Sequence, residues 1–149
     1  MSEFCEISRH PAKDERILAI LKGYTMVAVV GLSPREERDS NQVAAFLKER
    51  GFRIIPVNPK HERILGEEAY PSLLEVPGPV EIVDIFRKPE AVPGIVEQAI
   101  DKGARVIWMQ RGIVNNSAAE RAMEAGLEVI MDRCMKVEVE KHGVFHKVE

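Results

Sequence analysis

The stretch Met26-Val27-Ala28-Val29-Val30-Gly31-Leu32-Ser33-Pro34 constrains the fold more than any other part of the chain. A Val-rich run without polar alternation reads as a strand buried on both faces. That places it in a parallel sheet with helices on either side. The run passes through Gly31 into a charged loop, 33–39, and then into a helical pattern from about Ser40. A helix N-terminus at such a junction offers unpaired backbone N–H groups and a partial positive charge, a setting suited to phosphate.

Strand-like runs recur at 26–32, 52–57, 80–86, 105–110 and 127–132. Helical patterns at 40–50, 89–102 and 117–125 lie between them, and each stops at a glycine: Gly51, Gly103 and Gly126. A helix closed by glycine and followed by a strand is the αβ unit of a parallel sheet. A further short helix is expected over 14–22, ending at Gly23, and Asn115 or Asn116 is expected to cap the 117–125 helix. The segment 60–79, rich in Pro and Gly, reads as a crossover loop with one short helix near 72–76. The fold class is therefore α/β. The expected architecture is a three-layer, Rossmann-like, doubly wound sheet of about five mainly parallel strands. It is expected as one domain over 1–149, with its core at about 14–135 and with 1–12 and 137–149 peripheral. Residues 1–12 are expected to be poorly ordered, and 137–148 to form a loose hairpin or frayed end.

Ligands of such sheets sit outside the carboxyl ends of the strands. The basic residues Arg35, Arg38, Lys60, Arg87, Lys88, Arg111 and Arg133 gather on that edge. The chain as a whole has a net charge of −3, so this points to an anionic ligand at one place rather than to nucleic acid. An aromatic content of 5% also disfavours a base-stacking platform. No apolar run approaches the ~18 residues of a membrane span, and residues 1–7 lack the apolar core of a signal peptide. Two cysteines, Cys5 and Cys134, without a Cys-x-x-Cys motif fit a reducing cytoplasm.

The ligand class follows from what the loops lack. Gly31 stands alone where a dinucleotide loop wants Gly-x-Gly-x-x-Gly, and Asn58-Pro59-Lys60 occupies the place of the ribose-binding acid. Lys60 suits a phosphate on the ribose instead. The Gly-Lys-Ser/Thr of a P-loop is missing. Catalytic groups are equally sparse. Ser33 has no Gly-x-Ser-x-Gly context, and Cys134 reads as a core thiol, with a reactive thiol beside Arg133 as the alternative. His142 and His146 are four apart, but Gly143 intervenes and no third ligand lies nearby in sequence, so no metal site is expected. His10 has no evident partner and His61 reads as a loop residue.

The order and spacing of several pieces carry a resemblance. They are Val30-Gly31-Leu32-Ser33, Ser40 with Val43-Ala44, Gly51-Phe52-Arg53-Ile54-Ile55-Pro56-Val57-Asn58-Pro59 and Ile64-Leu65-Gly66. They continue with Tyr70-Pro71-Ser72-Leu73, Asp84-Ile85-Phe86-Arg87, Val92-Pro93, Trp108-Met109-Gln110 with Gly112, and Met131-Asp132-Arg133-Cys134. Over about 26–135 the chain resembles the small bacterial and archaeal CoA-binding proteins, relatives of the CoA-binding domain of the succinyl-CoA synthetase alpha subunit. The resemblance implies a coenzyme A or acyl-CoA site. It would place Gly31, Leu32 and Ser33 on the phosphate loop, with Arg38 and Ser40 reaching phosphate from the next helix. Asn58, Pro59 and Lys60 would flank the adenosine end, and Phe86, Arg87 and Lys88 would underlie the nucleotide or pyrophosphate. Gln110, Gly112 and Ile113 would face the pantetheine arm. In succinyl-CoA synthetase a second domain carries the phosphoryl-accepting histidine, so this chain looks like the binding half alone. The expected function is non-catalytic CoA binding. The alternatives are a small NADP-type or acyl-CoA-handling enzyme, or a subunit completing a synthetase-like partner, with a homo-oligomer also open.

Overall fold

The computed structural model describes residues 6–147; Cys5 and Val148, and what the sequence led one to expect of them, lie outside the described residues. Its centre is a parallel sheet of five strands: β1 (Met26–Val30), β2 (Arg53–Val57), β5 (Ile82–Ile85), β6 (Val106–Met109) and β7 (Glu128–Ile130). They lie in the order β2-β1-β5-β6-β7. Val30 is in register with Val57 on one side and with Ile85 on the other. β3 (Arg63–Ile64) and β4 (Glu67–Glu68) form a separate small antiparallel hairpin.

The apolar strands are buried because helices cover both faces. Ala28, Val30, Val83, Ile85, Ile107 and Met109 point to one face. There they meet Val92, Val96 and Ala99 of α3 (Val92–Lys102) and Ala118 and Ala122 of α4 (Asn116–Glu124). Val27, Val29, Ile82, Trp108 and Ile130 point to the other. They meet α1 (Asp14–Gly23), α2 (Asp39–Glu49) and α5 (Met135–His142) through Leu21, Leu47 and Val139. Trp108 and Met109 are fully buried. Pro56 is tolerated because β2 is the outermost strand. Asn58 N–H, two residues on, donates outward to Tyr70 O, so the ring nitrogen of Pro56 also faces away from β1.

The expected fold class and its five main strands are present, each strand shorter than its apolar run at one or both ends. The 117–125 helix begins at Asn116, capped by Asn115, whose Oδ1 accepts from Ala118 N–H at 3.0 Å. The crossover carries its short helix as a 3-10 turn at Leu73–Glu75. It also carries the β3–β4 hairpin, which the sequence did not announce. The turn uses Leu65 and Gly66, both at positive φ (54° and 76°). Leu is a poor residue for such a turn, so its usual Asn-Gly signal was missing.

Both ends of the chain correct the sequence reading. Within the segment expected to be poorly ordered, the described residues 6–10 are tied to α4. Glu6 Oε1 accepts from the N–H and Nδ2 of Asn116, and Arg9 N–H donates to Asn116 Oδ1. His10, for which no partner was evident, lies 3.0 Å from Glu120. The expected hairpin or frayed end is instead the helix α5, followed by a docked tail. Lys136-Val137-Glu138-Val139-Glu140 alternates with period two, which hid the helix. Val137 faces solvent while Val139 is fully buried. After Gly143, His146 N–H donates to Arg50 O, its ring stands edge-on to Phe52, and its Nε2 lies 2.7 Å from Leu21 O. Arg50 lies against the rings of both Phe46 and Phe145. A side chain at Gly51 would collide with the His146 carbonyl at 1.9 Å.

Within the five strands of the main sheet, one buried polar residue interrupts the apolar layers. Asp84 in β5 is fully buried; Gln110 Nε2 donates to its Oδ1 at 2.5 Å, and its Oδ2 has no partner among the described residues. Burial pushes its carboxyl from the ordinary 3.8 up to about 7, against the opposing pull of the Gln110 bond. The folded state therefore holds a proton that the unfolded chain releases between these values. This contribution to stability is complete below about pH 4 and is lost as pH rises through about 7, with a limiting slope of about 1.4 kcal/mol per pH unit. Urea unfolding from pH 4 to 8 should show it as a slope in the wild-type-minus-Asp84→Asn difference, with the variant the more stable at pH 8. Parallel pH profiles would contradict it.

Candidate functional site

Strand order reverses at β1. The chain runs from β1 outward to β2 and then crosses back to β5 on the other side of β1. Such a reversal opens a crevice at the carboxyl ends of the two diverging strands. Here those ends are Gly31 and Phe86. Gly31 has φ 90°, and a Cβ there would stand 2.5 Å from Phe86 O and 2.9 Å from Arg87 Cδ. Only glycine permits both the dihedral and the approach.

The loop after β1 is held by side chains from its surroundings. Gly31 N–H donates to Val57 O, and Asn58 Nδ2 donates to Leu32 O at 2.9 Å. Ser33 N–H donates to Ser40 Oγ at 2.9 Å, and Asn41 Nδ2 donates to Ser33 O at 2.9 Å. The Ser33 hydroxyl accepts from Arg35 N–H. Ser40 and Asn41 are buried, so the first turn of α2 braces the loop from beneath. Leu32 is fully buried and anchors the loop in the core. This loop is preorganised rather than slack.

Around it the structure brings most of the sequence-picked residues to one edge. Arg38 stands just before α2, and Arg38, Lys60, Arg87 and Lys88 are exposed, none in an ion pair with a described residue. Arg35 is held by Glu37 at 2.8 Å. Asp39, in the first turn of α2, adds a negative charge that opposes part of the helix-end field. Pro59 is exposed, and Lys60 N–H donates to Asn58 Oδ1, fixing the turn after β2. Phe86 is half-buried. Gly112 is exposed and its N–H donates to Asp132 Oδ1 at 2.7 Å, which ties the β6–α4 loop to the β7–α5 loop. Ile113 N–H donates to Gln110 O.

Gln110 sits beneath this edge. It is buried, its Nε2 bonds Asp84, and its Oε1 accepts from Met135 N–H at 3.4 Å. Cys134 is half-buried at the start of α5 and packs against the second core. Sequence reasoning missed Asn41, Asp84 and Asp132 as supports. Asp84 did leave a signal, a lone acid inside the apolar run Ile82-Val83-Asp84-Ile85. Two clefts lie elsewhere and do not reach Gly31. One of about 460 Å³ lies between residues 10–16 and β7, and one of about 780 Å³ flanks the edge strand β2.

The arrangement suits a ligand with several phosphates. It offers a glycine-permitted close approach, a fixed loop before a helix, and cations arriving from three separate strand ends.

Comparison with known proteins agrees. A family model described as CoA binding domain matches residues 25–140. An uncharacterized protein of Bacillus subtilis is 43% identical over 129 residues, covering 87% of this chain and 95% of that one. An ADP-forming acetate–CoA ligase of Archaeoglobus fulgidus is 30% identical over 136 residues, covering 83% of this chain but only 20% of the ligase. The solved structure of a hypothetical protein from Pyrococcus horikoshii superposes with a TM-score of 0.85 at 45% identity, covering 91% of this chain and 98% of that one. With the family model spanning the sheet from β1 into α5, the chain belongs to the CoA binding domain family.

Proposed function

We propose that the protein binds coenzyme A or an acyl-CoA at the carboxyl edge of its sheet. The observation that carries this reading is the close approach of Gly31 to Phe86 and Arg87 at the point where strand order reverses. Backbone groups of Gly31, Leu32 and Ser33 line the pyrophosphate. Arg38 supplies charge from the start of α2, and Ser40 holds the loop in place. Lys60, next to Asn58 and Pro59, takes the ribose phosphate. Phe86, Arg87 and Lys88 lie under the nucleotide. Gly112 and Ile113 line the path of the pantetheine arm, with Gln110 supporting them from below.

A second reading has one specific observation behind it. The chain spans only 20% of the length of the acetate–CoA ligase it matches. In this reading the protein presents CoA to a separate partner that carries the remaining chemistry. The NADP reading is disfavoured by the lone Gly31 and by Asn58 at the place of an acid.

Calorimetry with CoA, dephospho-CoA, pantetheine, NADP and ATP tests the reading. CoA should bind saturably and more tightly than dephospho-CoA, and more weakly as salt rises. No binding of CoA at millimolar concentration, or tighter binding of NADP, would overturn it. Lys60→Ala and Arg87→Ala should each weaken CoA roughly fivefold, as expected for an exposed charge-assisted contact. Pantetheine binding should stay unchanged in both; equal losses for the two ligands would remove these side chains from the phosphate site.

A further inference from the structure

A second cluster of ligating side chains lies between α1 and α5, and none of the residues assigned to CoA takes part in it. Glu138 and His142 are one turn apart on α5 and so share a helix face. Asp14, the first residue of α1, completes the group. One ligand atom from each of the three lies within 4.8 Å of the others. We propose that Asp14, Glu138 and His142 form a binding site for a divalent first-row transition metal ion, with zinc as its natural probe.

The geometry favours a metal over a hydrogen bond. Glu138 Oε1 and His142 Nε2 are 3.7 Å apart, too far for a hydrogen bond. Two ligands on one tetrahedral zinc, each ~2.1 Å from the ion, stand ~3.4 Å apart. Both atoms are buried, and neither has a hydrogen-bond partner among the described residues. The Glu138 side chain is only 5% exposed. A carboxylate oxygen in that setting is costly unless something compensates it. An ion between the two atoms satisfies both, with Asp14 as third ligand and water as the fourth.

The donor set narrows the ion. One imidazole nitrogen with two carboxylates suits zinc and its first-row neighbours rather than magnesium or calcium, which take oxygen ligands. Two cations face the cluster. Lys141 Nζ lies 3.2 Å from both Asp14 oxygens, in a pair whose side chains are about half exposed. Arg133 Nη1 lies 3.7 Å from Glu138 Oε2, the oxygen not directed at His142. The exposed lysine holds Asp14 weakly and is displaced as the ion enters. Arg133 stays on the outer oxygen. His146 takes no part, because its ring is engaged at Leu21 O.

The test uses the full chain carrying Cys5→Ser and Cys134→Ser, so that no thiol reports, stripped with a chelator and titrated with zinc against a chromogenic indicator. One zinc per chain should bind and raise the melting temperature. His142→Ala should weaken binding by more than the roughly tenfold that loss of an outer-shell partner costs. Asp14→Asn, at an exposed helix start, should do the same without disturbing the fold. Lys141→Ala should tighten binding by removing the competing cation, and His61→Ala, in an exposed loop, should change nothing. Absence of one-to-one binding in the parent would overturn the site. So would unchanged affinity in both His142→Ala and Asp14→Asn.

Discussion

Everything in this structure depends on a parallel sheet buried on both faces. Its hydrogen-bond ladders run without interruption between two apolar layers, so polar groups are driven to the strand ends. Of those two edges, only the carboxyl one faces the loops that open helices. The concentration of Arg38, Lys60, Arg87 and Lys88 on that edge follows from topology before any ligand is considered. The reversal of strand order at β1 then selects one point along it. There the backbone of Gly31 and that of Phe86 approach each other so closely that a single methyl group would not fit.

Much of this was legible in the sequence because burial on both faces writes itself as unbroken apolar runs. Met26 to Val30 and Val106 to Met109 needed no tertiary information, and Gly51, Gly103 and Gly126 marked helix ends by their tolerance of positive φ. The parts that were not legible share one cause: their structure comes from distant partners. Residues 136–140 alternate like a strand, yet Met135 and Val139 find the second core only because α1 and α2 provide it. The strap from Glu6 to His10 is ordered by Asn116 and Glu120, over a hundred residues away. For the candidate site, the exposed cations were readable as charges at strand ends. The supports, buried Asn41 and exposed Asp132, were not, because a short polar residue near a loop has many possible partners.

Asp84 and Gln110 show how the site and the core interfere. Gln110 follows β6 directly beneath the carboxyl edge, and its amide joins Asp84 of the central strand to the first N–H of α5. A core chosen for stability alone would place an apolar residue at 84, since an unpaired buried oxygen is costly. The pair instead couples three elements whose adjoining loops form one rim: the loop after β5 at Phe86, the loop after β6 at Gly112, and the loop before α5 at Asp132. The polar contact fixes where those loops begin, at the cost of a carboxyl held near neutrality.

Asn58 carries the same lesson at the other rim. The residue that follows β2 in a dinucleotide fold is an acid because it faces the ribose hydroxyls. Here its side chain works within the protein, donating to Leu32 O and accepting from Lys60 N–H. An aspartate keeps the second bond but has no proton for the first, so the Leu32 carbonyl goes unpaired and the β1 loop loses its lateral support. A carboxylate there also places a negative charge beside the β1 loop, where the proposed function puts phosphate. The amide at this one position therefore holds both the β1 loop and the backbone of Lys60 without adding a negative charge at the edge.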